Sequence, residues 1–588
     1  MESISGRQLA SLPLDFFVVV GEYLLAQDIT RLLFTGDSAL LSRLGAVGGG
    51  IQRFELRRVT PLKLRGFGAL STLASLKTLT FYAPSWKSAS IALNFDSLPR
   101  SLTKLELYNF VAETPRRLDL DHLLPNLRCL HLDRNIVDNI IDVLPQSLES
   151  LATRMTLAFM ERLDLPLLSS LHASIEDAST RLSEDNSYNL DNLFLRLSRM
   201  PHLTHLAWKQ RENVPDIFPH LPPSLLSLDL SECNLEQYLG HRIGKHVLHV
   251  PLPSGLHSLV LPEVGGVSPD RMRELPRTLT SLTIRDPSQI FRMDGLMVEA
   301  LPPNLKQLMI HSDQFSPDAF DPRLPTSLHT IHFLLSGMCN IPLRHLNNLT
   351  SLSLPCTEIQ SDSELPSSLR SLDCMSIGEP SILPTTLTEL KVGLQREAYT
   401  EEKMRTLQGL TRLVSLDATL GLCSIQHWSL LPTSLESLDI ISTERRDVNI
   451  DGPLQLPPRL RNFSLMGATI SISPTFTTCL THLPLKELTL RPHRGLISVD
   501  CFASLPTTLQ SLSLMLDGNL HDHHLSHLPQ GLTEITLTMR HHESNRLSLQ
   551  CGVFLPPKIQ KAILPKLETG SLQRAYPSIY FGSTIAGW

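Results

Sequence analysis

The sequence of 588 residues is poor in aromatic side chains, which make up 5% of it, although 42% of its residues are hydrophobic. The apolar residues are therefore mainly aliphatic, and Leu is the commonest among them. This bias favours thin layers of side chains stacked repeatedly over one thick, aromatic-rich core. With 19% charged residues, the composition is that of an ordered chain with a buried core.

The sequence also lacks any run of Lys and Arg, and its formal net charge is -6. Nucleic acids and anionic membrane surfaces attract proteins largely through clustered positive charge. We therefore expect neither nucleic acid nor membrane as the main partner. No apolar stretch approaches the roughly eighteen residues that a membrane-spanning helix needs. The start of the chain has no basic region before its apolar residues 16–20, so a secretory signal is not expected.

Paired cysteine motifs are missing as well: the nine Cys are an odd number, and no two of them form a C-x-x-C pair. This disfavours a disulfide framework and a structural zinc site. Reduced thiols are typical of the cytoplasm or the nucleus, which is the expected location.

Recognisable catalytic motifs are absent too. No Ser lies in a G-x-S-x-G elbow, and no Cys lies in a known nucleophile motif. The His-rich stretch from His521 to His527 is interpreted as a solvated link between strands rather than as a metal site, because zinc ligands must converge from a fixed frame. We therefore predict a protein that is not an enzyme, with no catalytic residues, no metal and no cofactor.

What the sequence does contain is one phrase, L-P-x-x-L-x-x-L-x-L, repeated along nearly the whole chain. Clear copies are LPRSLTKLEL at 98–107, LPPSLLSLDL at 221–230, LPRTLTSLTI at 275–284, LPTSLESLDI at 431–440, LPTTLQSLSL at 505–514 and LPQGLTEITL at 528–537. We count roughly twenty units, mostly of about 20 to 30 residues, which is the period of repeat proteins.

The residue pattern of one repeat unit predicts its structure. Side chains alternate along a strand, so Leu228 and Leu230 share one face of an extended segment. Leu225 and Leu221 turn into the same interior from the preceding bend. Pro222 has a fixed φ and no N–H, and therefore marks the start of each strand. Because one unit cannot bury its leucines alone, stacked units are expected to form a parallel sheet over a continuous core.

These repeats resemble the leucine-rich-repeat superfamily over residues 73 to 560. The resemblance implies an α/β solenoid, a horseshoe with a parallel β-sheet on its concave face, preceded by a small helical segment. The L-P-x-S-L opening is similar to the LP-type repeats of bacterial effectors and to FNIP repeats, although the FN-x-P signature is missing. The common Asn ladder is also incomplete: only Asn135 and Cys233 clearly match its position, which Thr357 and other residues occupy elsewhere.

The predicted organisation has four parts. Residues 10–45 form a helical segment, 46–72 a connector, 73–556 the repeats and 557–588 a C-terminal cap. Two insertions, 189–200 and 234–250, interrupt the repeats. They are interpreted as a helix or loop on the outer face, with a dedicated docking element as the alternative.

The segment 10–45 resembles an F-box, the helical motif that docks onto the Skp-type linker of cullin ubiquitin ligases. Its Leu12-Pro13 start is followed by apolar positions that include Val20. The resemblance implies that Leu12, Pro13 and Val20 contact the linker. The basic or aromatic group that usually follows the second F-box helix is missing, and a helical cap over the first repeat is the alternative.

Two columns of strand residues are expected to point away from the core. The column before the second core Leu is nearly always Ser, whereas the column between the last two core positions varies in size and charge, as selective recognition requires. We predict that the second column binds a protein target through Glu106, His131, His172, Asp229, Met309, His332, Asp373, Lys391, Asp417 and Asp439. The predicted function is the substrate-recognition adaptor of a Skp/cullin/F-box ligase, and the alternative is a stand-alone binding scaffold or sensor.

Overall fold

A computed structural model describes 29 segments of the chain, from residue 53 to residue 583. These are residues 53–57, 75–82, 89–91, 95–108, 110–112, 118–136, 141–156, 159–160, 163–175, 197–210, 221–231, 252–261, 269–285, 295–311, 323–334, 337–339, 341–393, 400–419, 425–442, 448–450, 455–467, 470–472, 474–492, 497, 499–516, 520–539, 545–548, 550–564 and 580–583. The chain divides into two compact units, 1–291 with 300–305 and 292–299 with 306–588.

The described part of the first unit consists mainly of short strands. They are β1 (Arg53–Arg57), β2 (Thr78–Tyr82), β3 (Ala89–Ile91), β4 (Lys104–Tyr108), β5 (Phe110–Ala112), β6 (Leu118–Asp119), β7 (Cys129–Ile136), β8 (Ile141–Val143), β9 (Ser150–Met155), β10 (Ser170–Ile175), β11 (His205–Gln210), β12 (Ser227–Asp229), β13 (Ser258–Leu261) and β14 (Ser281–Arg285).

The second unit has the same character. Its strands are β15 (Gln307–His311), β16 (Thr330–Phe333), β17 (Gly337–Cys339), β18 (Ser351–Ile359), β19 (Ser371–Ile377), β20 (Glu389–Val392), β21 (Ser415–Thr419), β22 (Ser437–Ser442), β23 (Val448–Ile450), β24 (Asn462–Gly467), β25 (Ile470–Ile472), β26 (Glu487–Pro492), β27 (Ser511–Leu516), β28 (Leu520–His521), β29 (Glu534–Met539), β30 (Asn545–Arg546), β31 (Lys561–Leu564) and β32 (Tyr580–Ser583).

Helices are short in the parts of the chain that the structure describes. The α-helices are α1 (Leu120–Leu123), α2 (Pro269–Arg273), α3 (Gly295–Glu299), α4 (Glu401–Gln408) and α5 (Pro474–Leu480). The 3-10 helices are Phe95–Ser97, Pro380–Ile382, Ile425–Leu430, Val499–Ser504, Asp522–His527 and Cys551–Phe554. Within these described segments, no helix has the length and the hydropathy that crossing a membrane requires.

Each unit is built on one parallel sheet with one strand from each repeat. In the first unit the neighbours run β1, β2, β4, β7 and then β9 to β14, and every pairing is parallel. In the second unit the order is β15, β16, β18 to β22, β24, β26, β27, β29, β31 and β32, again all parallel. Short outer pairs, such as β3 with β5 and β23 with β25, lie beside these sheets.

Burial alternates along the strands as the L-x-L pattern predicts. Leu228, Leu282, Leu438 and Leu512 are buried within parallel strands, and Leu230 is buried directly after β12. A one-residue shift along any strand would move its leucines to the opposite face, so their burial fixes the register. The predicted leucine-rich solenoid architecture is confirmed.

Proline introduces each strand through a turn. In the copy that begins at Leu98, the N–H of Leu102 donates to the carbonyl of Pro99 over 3.1 Å. The next two amides, those of Thr103 and Lys104, both donate to the carbonyl of Lys77 in the preceding repeat, at 2.8 and 2.9 Å. The turn thus delivers the chain to its neighbour at the point where the parallel ladder starts.

The Ser or Thr of L-P-x-S/T-L links successive repeats. Its hydroxyl donates to a backbone carbonyl of the preceding repeat over 2.6–2.8 Å in Ser101, Ser147, Ser224, Thr278, Ser368, Thr386, Ser434 and Thr508. Where the copy has Asn instead, as at Asn126, Asn304 and Asn348, the side-chain amide makes the equivalent bond. We call this set of bonds the hydroxyl ladder. It links neighbouring repeats, as the Asn ladder does in leucine-rich-repeat proteins that have one.

The sheet extends beyond both predicted ends of the repeats. The expected connector 46–72 contributes β1, which pairs with β2, and the expected cap 557–588 contributes all of β31 and β32. The reason is visible in the residues 555–564, LPPKIQKAIL, a copy of the motif in which Ile559 and Ala562 replace Leu. Both residues are buried like the leucines that they replace.

Several predicted features lie outside the described residues. They are the segment 10–45 with Leu12, Pro13 and Val20, the insertion 234–250, and all of the helix expected at 189–200 except its last four residues. Thr357, one of the residues at the Asn-ladder position, is described and is completely buried.

The hydroxyl ladder predicts opposite effects for two substitutions. Ser434→Ala removes a hydroxyl that donates to the Leu413 carbonyl over 2.6 Å and should cost about 1 kcal/mol of unfolding free energy. Gly255 occupies the same motif position without a hydroxyl, and a Cβ there would lie 3.9 Å from the Pro223 carbonyl oxygen. Gly255→Ser should therefore stabilise the chain by about 0.5–1 kcal/mol. Chemical denaturation measures both changes.

The matched control is Gly531, which also occupies the ladder position. A Cβ at Gly531 would lie 3.2 Å from the Leu509 carbonyl oxygen, so Gly531→Ser should gain less than Gly255→Ser. If the hydroxyl ladder had no energetic role, the Ser434→Ala variant would be as stable as the parent chain. The Gly255→Ser variant would then be no more stable than the parent chain.

Candidate binding face

Opposite the leucine core, each strand exposes side chains in rows that run from repeat to repeat. The central row consists of the residues that lie between the two buried positions of each strand. Between β2 and β14 its members are Thr80, Glu106, His131, Ala152, His172, Ala207, Asp229, Val260 and Thr283, and between β15 and β29 they are Met309, His332, Ser353, Asp373, Lys391, Asp417, Asp439, Ser464, Thr489, Ser513 and Thr536.

All ten predicted binding residues lie in this row, but they are not evenly spaced. Asp373, Lys391, Asp417 and Asp439 occupy four consecutive strands of the second unit. In the first unit, alanines separate His131 from His172 and His172 from Asp229. The charged residues are therefore contiguous in the second unit and interrupted in the first.

The neighbouring row contains the predicted serine column. Ser227, Ser258 and Ser281 stand in register in the first unit, as do Ser415 and Ser437 in the second. Other residues interrupt the column, such as Glu389 between Ser371 and Ser415. The small hydroxyls leave the central row accessible from one side.

An aromatic stack stands at the beginning of the first unit. The rings of Tyr82 and Tyr108 lie parallel with centroids 4.6 Å apart, and the ring of His131 follows at 4.4 Å from Tyr108. Parallel register places the two tyrosines side by side on β2 and β4. Tyr82 and Tyr108 were not among the predicted binding residues, although both copies have a tyrosine directly after the strand phrase, LTF in one and LEL in the other.

Glu106 makes polar contacts with two residues beside this stack. The hydroxyl of Thr80 donates to Glu106 Oε2 over 3.0 Å, and Lys104 Nζ lies 3.0 Å from Oε1. The bond with Glu106 raises the pKa of Lys104. Burial, with the nearby Glu106 carboxylate, raises the pKa of Tyr108 to about 12. The face here combines phenol rings with an ion pair, and Tyr108 keeps its proton.

A chain of hydrogen bonds crosses three strands in the second unit. Ser353 Oγ donates to Asp373 Oδ2 over 3.0 Å and lies 2.8 Å from His332 Nδ1. Since the hydroxyl proton points to the carboxylate, His332 Nδ1 carries the proton and donates to Ser353. In a catalytic triad the imidazole instead takes the proton from Ser. Burial lowers the pKa of His332, against the opposing effect of Asp373. The arrangement fixes side chains and does not activate a nucleophile.

The next three strands carry one lysine and two carboxylates, of which Asp417 is paired with the lysine. Lys391 Nζ lies 3.7 Å from Asp417 Oδ2, and Asp439 follows in register on β22. Burial raises the pKa of Asp417, and the Asp439 carboxylate raises it further, while Lys391 acts in the opposite direction. Asp439 Oδ1 is enclosed and has no hydrogen-bond partner among the described residues. Negative charge is therefore only partly compensated here.

Apolar residues border Asp439 on the side away from the serines, whereas the buried Thr419 occupies the corresponding position beside Asp417. Ile441 lies two positions after Asp439 and keeps 37% of its surface exposed. Met466 is its partner in register on β24 and is half-buried. The second unit thus offers carboxylates and aliphatic surface side by side.

The His-rich stretch does not fully match its predicted character. His523 and His527 are exposed, as expected of a solvated link, but His521 and His524 are half-buried, and the stretch forms a 3-10 helix with His521 as its N-cap. Within the described segments, no group of three His, Cys, Asp or Glu residues could hold a metal ion.

Comparisons with known proteins give matches only at the level of structure. No protein-family model matches the sequence, and no curated protein matches it significantly. CroV588, a circular leucine-rich-repeat protein, is 16% identical, with a TM-score of 0.35, over 90% of this chain and 81% of its own. YopM from Yersinia enterocolitica WA-314 is 21% identical, with a TM-score of 0.36, over 75% and 87% of the two chains.

A third similar structure is that of TLR13 in complex with ssRNA13, which is 17% identical, with a TM-score of 0.44, over 87% of this chain and 77% of its own. One strand per repeat, parallel register and buried L-x-L leucines are the features that define a leucine-rich repeat. The chain has a leucine-rich-repeat fold. At these identities the likeness concerns the fold alone.

Proposed function

We propose that this leucine-rich-repeat chain is a protein-recognition scaffold and that its central row contacts the partner. The observation that carries the proposal is the composition of that row in the second unit. His332, Asp373, Lys391, Asp417 and Asp439 stand on neighbouring or next-neighbouring strands of one sheet. Residues of differing size and charge on a fixed backbone can distinguish one protein surface from another.

The parallel sheet supports this role because it holds the row in place before any partner arrives. Strand backbones are hydrogen-bonded to both neighbours, and hydroxyl bonds add a link between repeats, as Ser434 does with the Leu413 carbonyl. A preordered surface loses little conformational entropy on binding. The bonds from His332 through Ser353 to Asp373 restrict side chains of the row in the same way.

The chemistry of the row favours a partner that brings hydrogen-bond donors next to apolar groups. Among the described residues, Asp439 has an enclosed oxygen without a donor, and the ion-pair partner of Asp417 is Lys391 at 3.7 Å. Ile441, two positions after Asp439 on the same strand, offers exposed aliphatic surface. A partner side chain with N–H groups on an apolar stem would meet both requirements.

The finer part of the proposal is that the chain is the substrate-recognition adaptor of a Skp/cullin/F-box ubiquitin ligase. It rests on the likeness of residues 10–45 to an F-box, in which Leu12, Pro13 and Val20 would contact the linker. The repeats would then select the target. Without linker binding, the protein is a stand-alone scaffold or sensor.

The binding role of the central row predicts a selective loss of partners. A triple variant, Asp373→Asn, Asp417→Asn and Asp439→Asn, should lose the proteins that co-purify with the parent chain, because it removes the row's uncompensated charge without changing side-chain volume. Losing hydrogen-bonded charge contacts typically costs about 2–5 kcal/mol, which would weaken capture at least about tenfold. Quantitative mass spectrometry of co-purified proteins measures this.

The matched control changes the adjacent row on the same three strands. Ser371→Ala, Ser415→Ala and Ser437→Ala should retain the partners. Equal partner sets for the two triple variants, with both chains folded, would contradict recognition through the central row.

The adaptor role predicts direct capture of a purified Skp-type linker by the full chain. Leu12→Ala with Pro13→Ala should abolish capture, because a few apolar residues carry most of the binding energy in such interfaces. Thermal unfolding of the repeats should stay unchanged, which separates lost binding from lost folding.

The central-row triple variant is the control here, and it should bind the linker as the parent chain does. If the intact parent chain captures no linker, the adaptor role is refuted and residues 10–45 are assigned to a cap. Recognition through the central row is judged by its own experiment and does not depend on this result.

A further inference from the structure

Two histidines close the first turn of one 3-10 helix in the link between β27 and β29. The helix spans Asp522–His527, and His521 is its N-cap residue. The backbone N–H of His521 donates to Nδ1 of His524 over 3.0 Å. In return, the His521 side chain accepts the backbone N–H of His524. This is a capping box in which imidazoles take the places usually held by Ser or Thr and by Glu or Gln.

Both bonds require neutral imidazoles. A neutral ring has one nitrogen with a lone pair, whereas a protonated ring has two N–H donors and no acceptor. Protonation of His524 therefore removes the acceptor for the His521 N–H, and protonation of His521 removes the acceptor for the His524 N–H. Neither residue can gain a proton and keep its bond.

Ring packing adds a second penalty. The centroids of His523 and His524 are 4.0 Å apart, and the ring of His521 lies 5.6 Å from each of them. Two or three positive charges at such distances repel one another. Acid thus breaks the reciprocal bonds and at the same time charges a packed group of rings.

The surrounding groups do not replace the lost bonds. Asp522 accepts the N–H of Ser548 over 2.8 Å and also the Ser548 hydroxyl, so both of its oxygens are engaged. Cys551, from the adjacent 3-10 helix, has its pKa raised to about 12 by burial and by Asp522, and stays a neutral thiol. The remaining titratable or charged residues on this helix and on its neighbours β30 and Val499–Ser504 are His527, Arg546, Asp500 and Cys501.

We propose that the reciprocal His521–His524 caps form a proton-sensitive latch, which opens the outer link between β27 and β29 when the pH falls below the ordinary imidazole range. The latch joins two repeats, because β28 pairs with β30 and Asp522 binds Ser548 of the following link. In a repeat protein such an opening can stay local, since each repeat contacts only its neighbours. Acidification then loosens the C-terminal repeats while the rest of the sheet is retained.

Hydrogen exchange of the full-length protein at several pH values tests the proposal. An unfolded imidazole has a pKa of about 6.5. Because protonation breaks a bond of the closed form only, each site makes opening easier at pH 5.5 than at pH 7.5, by at most about tenfold. The opening constant of residues 520–528 should therefore rise over this range, by up to about a hundredfold for the two sites together, after correction for intrinsic exchange. Amides of β21 and β22 should show no such rise.

Replacements that keep the caps but cannot titrate provide the decisive comparison. His521→Asn with His524→Gln restores an ordinary capping box, because Asn is a favoured N-cap and Gln a favoured third residue. This double variant should lose the rise, and His524→Gln alone should leave a smaller rise than that of the parent chain. His527→Gln, which changes an exposed ring outside the caps, should behave as the parent chain does.

The proposal is overturned if the parent chain and the double variant show the same pH dependence in residues 520–528. It is also overturned if His527→Gln removes the rise, since the effect would then come from general charge on the helix. If the double variant fails to fold at pH 7.5, His524→Gln is compared with the parent chain instead. A smaller rise in the single variant supports the proposal, and an equal rise overturns it.

Discussion

The structure depends on the burial of two leucines, or their substitutes, on one side of every short strand. A strand of three to six residues has little other means of choosing its register against a neighbour from a different repeat. Leu228 and Leu438 show the principle: each is buried, and each is flanked by half-buried polar residues. Because a slip of one residue would expose the leucines, their burial also determines which side chains face outward. The residues of the central row therefore face outward because the leucines on either side of them are buried.

Backbone carbonyls at the start of each strand carry the second constraint. The carbonyl of Arg370 accepts two amides of the next repeat, those of Thr388 and Glu389, and also the Thr388 hydroxyl. The hydroxyl ladder adds a further bond one turn earlier. These links join only adjacent repeats, so the fold tolerates the variable lengths between them. They also explain why Ser, Thr and Asn recur at one position of the motif, since each supplies a side-chain donor to the preceding repeat.

Strand positions and outward-facing columns could be predicted from the sequence because both follow from the alternation within a single repeat. The ends of the sheet could not, since Ile559 and Ala562 replace leucines and hide the last copies of the motif. The contacts between repeats were also beyond prediction. The Tyr82–Tyr108 stack and the bonds around Ser353 depend on which residues of distant repeats stand side by side, and irregular links conceal that alignment. His521 and His524 seemed to belong to a solvated link because their caps form only in the folded turn.

Register between repeats is the claim on which the binding face depends, and paired cysteines measure it directly. Ser415 and Ser437 are partners in register on β21 and β22, at the spacing of neighbouring strands, whereas Ser415 and Asp439 are offset by two residues. A disulfide needs Cα atoms no more than about 7 Å apart. Mild oxidation followed by mass spectrometric mapping should therefore find a disulfide in the chain with Ser415→Cys and Ser437→Cys, and none in the chain with Ser415→Cys and Asp439→Cys. The reverse pattern would mean that the repeats are aligned differently, and the central row would not exist as described.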